Sequence, residues 1–134
     1  MNRIEKALEN HKKGYNCSQS VACAFCDKIN MDETAMFQVM EAFGLGGGDT
    51  YGTCGAVAGA AAVVGMMNST GNLDNPDSKQ NYYKIAKELN EKFRNMNGST
   101  ICREIKGIET GNVLRSCNGC IEDAAKLVCE LIGE

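Results

Sequence analysis

The sequence contains no tryptophan, a single proline and a single histidine, and aromatic residues make up only 6% of its 134 positions. With one histidine, a Cys–His catalytic pair would have to use His11. This residue falls on the apolar face of a predicted helix, so we expect a core or surface histidine. The sequence therefore gives little support for catalysis by a histidine side chain.

Strong charge and long apolar runs are also missing. The net charge is -3, with acidic and basic residues mixed along the chain, and no basic patch alternates with aromatics. Nucleic acid is therefore not an expected partner. The most apolar stretch, residues 56–67, is about half the length that a membrane helix needs, so membrane insertion is not expected. The charged first residues lack the apolar core of a signal peptide, and we expect a cytoplasmic protein.

Strand patterns are weak, whereas apolar residues recur at helical spacing. The sequence predicts an all-α fold, with residues 1–134 forming a single domain of about six helices. The predicted helical segments are 2–13, 17–29, 33–43 with Asp32 as its cap, 54–67, 75–97, a short one around Cys102 and one that follows Ser116. Since the segment from Gly55 to Gly65 consists mainly of small residues, which allow close backbone approach, we place that helix at the centre.

Cysteine is the residue that is abundant: there are 8, well above ordinary usage. In a reducing compartment, many cysteines in a domain-sized chain indicate metal or redox chemistry. Four predicted helices carry cysteine in their first turn, at Cys17, Cys54, Cys102 and the Cys117–Cys120 pair. Free amide groups and the helix dipole favour a thiolate there, and the thiolate is both the nucleophile and the metal ligand.

The other three cysteines, Cys23, Cys26 and Cys129, fall inside predicted helices, and we expect packed or idle thiols. Cys23 and Cys26 form a Cys-x-x-Cys pair, as do Cys117 and Cys120. Two such pairs also suggest zinc, but neither has the hairpin context of a zinc knuckle. Zinc is therefore the less favoured ligand.

Several segments resemble one known family. Cys54-Gly55-Ala56-Val57-Ala58-Gly59 is similar to the central motif of the C_GCAxxG_C_C family of redox-active proteins. Residues 14–21, 102–107 and 121–128 are similar to the segments around its other cysteines, so the resemblance covers nearly the whole chain. It implies a site formed by Cys17, Cys54, Cys102 and Cys117, with Cys120 as the alternative to Cys117. The extra cysteines depart from the family pattern, namely Cys23, Cys26, Cys120 and Cys129.

Three hypotheses about function follow. In the first, a Cys54 thiolate attacks a disulfide or accepts electrons, and Cys17, Cys102, Cys117 or Cys120 resolves the mixed disulfide. Its partner would be a redox protein or a small thiol or disulfide. In the second, Cys17, Cys54, Cys102 and Cys117 hold a [2Fe–2S] cluster or another metal. A similar helical domain in split-Soret-type cytochromes supports this alternative, although the chain has no Cys-x-x-Cys-His motif for c-type haem.

The third hypothesis is a structural or partner-binding helical domain whose thiols are incidental. Self-association into a homo-oligomer stays open under all three hypotheses, because no sequence feature tests it.

Overall fold

The computed structural model describes residues 1–134 and contains seven α-helices without β-strands. The helices are α1 (Arg3–Lys12), α2 (Cys17–Ala22), α3 (Glu33–Met40), α4 (Gly55–Asn68), α5 (Lys79–Asn97), α6 (Cys102–Lys106) and α7 (Cys117–Ile132). Two short 3₁₀ turns, Cys23–Phe25 and Glu41–Phe43, continue α2 and α3. The all-α prediction is confirmed, and each of the seven predicted helical segments overlaps one of the seven α-helices. No helix combines the length and apolar character that crossing a membrane requires.

Polar side chains fix where several helices begin. Asn16 and Gln19 form a reciprocal capping box at α2, in which the Gln19 amide N–H donates to Asn16 Oδ1 at 2.9 Å. Asp32 accepts from the Ala35 amide at the start of α3, and Ser116 accepts from the Gly119 amide at the start of α7. These caps satisfy amide groups that a helix start leaves unpaired. They also fix the backbone that carries the cysteines.

Helix α4 lies at the centre and packs against α2, α5 and α7. Ala56, Val57, Ala60 and Val63 are buried along it. At Gly59 a Cβ atom would lie 2.5 Å from the Ser18 carbonyl oxygen of α2, a distance that side chains do not tolerate. The small residues therefore do bring neighbouring backbones together, as the sequence predicts.

Two predicted helix boundaries are wrong. The second helix does not continue to residue 29, because α2 ends at Ala22 and the chain turns with Asn30 in the left-handed region at φ 51°. The fifth helix begins at Lys79 rather than near Pro76. Here Ser78 Oγ accepts a hydrogen bond from the Thr70 amide instead of capping the helix.

The buried side of α3 is narrow. Met36 and Met40 are buried, but Val39 and Phe43 are about half exposed. Met36 and Met40 are four residues apart on one side of the helix, Val39 lies at the edge of that side, and Phe43 belongs to the 3₁₀ turn that follows α3. The apolar stripe of α3 is therefore narrower than its sequence suggests.

Candidate functional site: a cavity lined by five cysteines

A cavity of about 200 Å³ contains every cysteine that the sequence places in a helix start. We call it the cysteine cavity; its thiols are those of Cys17, Cys54, Cys102, Cys117 and Cys120. Sequence analysis treats Cys117 and Cys120 as alternatives, whereas the structure places both in the cavity wall. The large sequence separations between these residues mean that only the folded chain assembles the cavity.

Each of these cysteines is positioned by the start of a helix. Cys17, Cys102 and Cys117 are the first residues of α2, α6 and α7. Cys54 immediately precedes α4, and Cys120 follows Cys117 by one turn. Four helix starts therefore point towards one space, and their unpaired amide groups make it favourable for negative charge.

A short antiparallel contact holds the starts of α4 and α6 side by side. The Cys54 amide donates to the Thr100 carbonyl oxygen at 2.7 Å, and the Cys102 amide donates to the Gly52 carbonyl oxygen at 3.0 Å. Gly46 packs directly on this contact, since a Cβ there would lie 2.5 Å from the Cβ of Cys102. The glycine-rich loop before α4 thus closes over Cys102.

The start of α2 reaches the start of α4 at a second glycine. A Cβ on Gly55 would lie 3.2 Å from the Cβ of Cys17, which is tighter than ordinary contact. The glycine after Cys54 therefore leaves the space in which Cys17 sits. This contact gives the central Cys-Gly-Ala motif a physical role in forming the cavity.

Cys17 and Cys117 form a hydrogen-bonded thiol pair. The hydrogen bond from Cys17, followed by the positive charge of Lys106, lowers the pKa of Cys117 to about 5. Lys106 Nζ lies 3.4 Å from Cys117 Sγ. The same hydrogen bond, together with burial, raises the pKa of Cys17. The pair therefore holds one thiolate and one thiol at neutral pH.

Cys54 and Cys120 form a second pair of the same kind. The hydrogen bond from Cys120, and then the amide groups of Ala56 and Val57, lower the pKa of Cys54 to about 7. The hydrogen bond to Cys54 and burial raise the pKa of Cys120. Cys102 has no thiol hydrogen-bond partner, and burial raises its pKa. The cavity thus contains two thiol pairs and one single thiol.

The charged groups around the thiols are cationic. Lys106 and Arg115 line the cavity, and no Asp or Glu does. Arg115 is held by two hydrogen bonds to the buried carboxylate of Asp123, at 3.1 and 3.3 Å. His11 also lines the cavity, and its Nδ1 lies 2.6 Å from Asn118 Oδ1. Negative charge on the sulfurs is therefore stabilised.

Sequence analysis missed these surrounding residues. Lys106 follows Cys102 by four residues in α6, so helical periodicity could have placed the two on one face. His11 is half-buried at the cavity rather than packed in the core. Arg115 gives no comparable signal, since its position depends on the tertiary contact with Asp123.

The arrangement does not fit a single metal ion. No set of three or more His, Cys, Asp or Glu side chains is placed so that it could hold one. A structural zinc takes four ligands in tetrahedral geometry. The zinc alternative therefore lacks a ligand set in this structure, and we develop no chemistry through zinc.

The remaining cysteines lie elsewhere. Cys23, Cys26 and Cys129 line a separate cleft of about 910 Å³, where Arg3 near the chain start approaches Glu134 at its end. We call this the terminal cleft. Cys23 and Cys26 are buried and Cys129 is half-buried. Cys117 and Cys129 lie at opposite ends of α7, about 18 Å apart at 1.5 Å per residue.

The fold and the site define a class: an all-α protein whose cysteines converge from several helix starts on one cavity. Residues 15–131 match a family model described as "Putative redox-active protein (C_GCAxxG_C_C)", and the chain belongs to this family. The matched region contains all five cysteines of the cavity. No curated protein and no solved structure matches the chain.

Proposed function

We propose that the protein performs thiol–disulfide exchange, with Cys117 as the attacking thiolate and Cys17 as the resolving thiol. The placement of Cys117 supports this proposal. Its sulfur lies 3.4 Å from Lys106 Nζ, at the first residue of α7, and Cys17 hydrogen-bonds to it. An ammonium group, a helix start and a thiol donor all stabilise the thiolate that exchange requires.

One observation favours Cys117 over Cys54 as the nucleophile. Cys117 is half-buried, whereas the exposed fraction of Cys54 is 6%. The pKa of Cys117, about 5, makes it a thiolate at neutral pH, but the pKa of Cys54, about 7, is nearer the optimum for attack, so access decides between the two. Since an attacking sulfur needs access as well as charge, Cys117 meets a substrate first. Cys54 and Cys120 then form a second dithiol behind it.

The reaction balances without any further reactant. The Cys117 thiolate attacks one sulfur of a disulfide R–S–S–R′, forming a mixed disulfide with R and releasing R′S⁻. Cys17 gives its proton to a released thiolate and attacks Cys117 Sγ, which releases RS⁻. Two electrons pass from the protein to the substrate, and a Cys17–Cys117 disulfide remains. The reverse sequence oxidises a dithiol partner.

The cavity lining favours an anionic small disulfide as the substrate. Lys106 offers positive charge beside Cys117, Arg115 is paired with Asp123 behind the cavity, and no carboxylate lines the cavity itself. A volume of about 200 Å³ accommodates part of a small molecule rather than a folded partner.

The experiment is to treat the reduced protein with oxidised glutathione and to follow the loss of free thiols. We expect a rapid loss of two thiols per chain. Cys117→Ser should abolish this phase, whereas the matched control Cys102→Ser should retain it, because Cys102 has no thiol partner in the cavity. Unchanged kinetics in Cys117→Ser would place the reaction at another thiol pair, and the absence of a rapid phase in the wild type would support a helical protein with incidental thiols.

A second candidate function rests on the two thiol pairs. A [2Fe–2S] cluster takes four cysteine ligands, two on each iron. Cys17 with Cys117 and Cys54 with Cys120 supply this number, so Cys120 replaces Cys102 in the set that the sequence suggests. When bound, such a cluster would provide one-electron transfer.

Iron analysis and visible absorbance of protein purified without oxygen distinguish the two candidates. Under the cluster hypothesis, Cys120→Ser loses iron and Cys102→Ser retains it. Iron-free, colourless wild-type protein that still reacts with disulfides supports thiol exchange alone.

A further inference from the structure

The terminal cleft contains two thiols that the proposed exchange reaction does not use. Cys23 begins the 3₁₀ turn after α2, and Cys26 directly follows that turn. In a 3₁₀ turn the side chains at positions i and i+3 eclipse each other, so these two sulfurs lie one above the other. The two thiols are close enough that each shifts the pKa of the other, after the larger effect of burial.

We propose that Cys23 and Cys26 form a second, independent dithiol, which closes to a disulfide when a small-molecule disulfide enters the terminal cleft. Both residues line the cleft. Residues three apart on a helical turn have Cβ atoms about 5–6 Å apart, and a disulfide needs about 3.5–4.5 Å. A small adjustment of the turn therefore suffices for closure.

Neither thiol is committed to a strong competing contact. Cys23 Sγ donates to the Glu33 carbonyl oxygen and Cys26 Sγ to the Ala22 carbonyl oxygen, each at a long 3.9 Å. Cys129 lines the same cleft but forms no hydrogen bond with either sulfur. The geometry therefore selects Cys23 and Cys26 as the pair and leaves Cys129 as a bystander.

Closure of the Cys23–Cys26 disulfide consumes one small-molecule disulfide and releases two thiols, as in ordinary thiol–disulfide exchange. Cys26 attacks the disulfide R–S–S–R and releases one thiol, and Cys23 attacks Cys26 Sγ and releases the second thiol. Cys26 attacks first because, against the effect of burial, the neighbouring Cys23 lowers the pKa of Cys26, whereas Cys26 raises the pKa of Cys23. Burial raises the pKa of Cys26 and, to about 12, that of Cys23, so closure is slower than in the cysteine cavity.

The test uses the full chain with Cys17→Ser, treated with excess 2-hydroxyethyl disulfide, alkylated, digested with trypsin and analysed by mass spectrometry. In this variant the tryptic peptide of residues 14–28 contains only Cys23 and Cys26 as cysteines. We expect this peptide to carry no alkyl group and to have the mass of the reduced, unalkylated peptide minus two hydrogens. Adding Cys129→Ser should leave this result unchanged, and adding Cys26→Ser should abolish it.

Three results would overturn the proposal: a disulfide between Cys23 and Cys129, separate mixed disulfides on Cys23 and Cys26, or full alkylation of both. The wild-type chain, mapped by fragmentation of the same peptide, gives the same test if Cys17→Ser does not fold. The outcome is independent of thiol exchange at Cys117, which lies in another peptide, residues 116–126.

Discussion

The cysteine cavity and the terminal cleft hold thiols that are buried to a similar degree but differ in ionisation. The exposed fraction is 6% for Cys54 and 4% for Cys23. Nevertheless, the pKa of Cys54 is lowered to about 7, whereas burial followed by the nearby charges of Cys26 and Glu33 raises the pKa of Cys23 to about 12. Burial alone therefore does not set thiol chemistry in this chain.

The hydrogen-bond donors around each sulfur explain the contrast. Cys54 receives a hydrogen bond from Cys120 and, because it precedes α4, further hydrogen bonds from the amides of Ala56 and Val57. Cys23 follows the end of α2, where carbonyl oxygens rather than amide groups are unpaired. The start of a helix stabilises a thiolate and its end does not. Cysteines that react quickly and cysteines that react slowly can thus coexist in one small fold.

The largest expected effect is a difference in pH dependence between the two regions. Lowering the pH from 9 to 6 should leave Cys117 largely reactive, because its pKa is about 5. Cys23 should lose close to tenfold per pH unit, because its pKa is about 12. At pH 6 we expect Cys117 to react roughly 1,000-fold faster, even after its lower nucleophilicity is included.

Alkylation by iodoacetamide, followed peptide by peptide with mass spectrometry, measures both rates in one sample. Parallel pH profiles for Cys117 and Cys23 would show that the two regions do not differ in ionisation.

The next effect concerns the packing that builds the cavity. Gly59→Ala places a Cβ about as close as 2.5 Å to the Ser18 carbonyl oxygen, so α2 and α4 must separate. We expect a loss of about 1–3 kcal/mol in the free energy of unfolding. Gly65→Ala, on the same helix, meets only the Tyr82 ring at 3.6 Å and should be neutral or stabilising by up to about 1 kcal/mol.

Urea unfolding followed by circular dichroism compares the two glycine variants. Similar stability in both would mean that the contact between α2 and α4 is not tight at Gly59.

A smaller effect tests the charge beside Cys117. Lys106→Met removes the ammonium 3.4 Å from its sulfur, so the pKa of Cys117 should rise. A rise of about one pKa unit reduces the thiolate fraction at pH 5 several-fold, and the alkylation rate falls with it. Lys126→Met, in the terminal cleft, is the matched control and should leave the rate unchanged. Equal alkylation rates of Cys117 in the two variants would show that Lys106 does not influence the ionisation of Cys117.

The smallest effect belongs to the terminal cleft. Asp27→Asn removes one ion pair of Arg3, which retains Glu134 at 2.8 Å and the Ala24 carbonyl oxygen at 3.0 Å. We expect less than about 1 kcal/mol of destabilisation and no change at Cys117, since exposed ion pairs contribute little. Thermal unfolding measures the first quantity and alkylation the second. A change in the Cys117 rate would show that the two regions are coupled.

Local signals in the sequence predict much of this molecule. The caps at Asp32 and Ser116 and the small residues of α4 give correct helix starts and the correct central helix. The boundary near Pro76 is missed because Ser78 hydrogen-bonds back to Thr70, a contact that depends on the folded loop.

The candidate site, too, is predicted in part by local sequence signals and in part depends on tertiary contacts. The helix starts identify Cys17, Cys54 and Cys102 because an N-terminal position is a local property. The tertiary arrangement of the four helix starts determines which thiols lie next to each other. It also determines which cationic side chain lies beside them. The contact between Lys106 and Cys117, on which the proposed role of Cys117 rests, is therefore visible only in three dimensions.

The most direct test is the order in which disulfides form when reduced protein meets a limiting amount of oxidised glutathione at pH 6. Tryptic mapping resolves the candidates, because Cys17 and Cys117 lie in peptides 14–28 and 116–126. We expect the first disulfide to join these two peptides through Cys17 and Cys117, with Cys23 and Cys26 still reduced. A first disulfide between Cys23 and Cys26, or between Cys54 and Cys120, would contradict the assignment of Cys117 as the reactive thiolate.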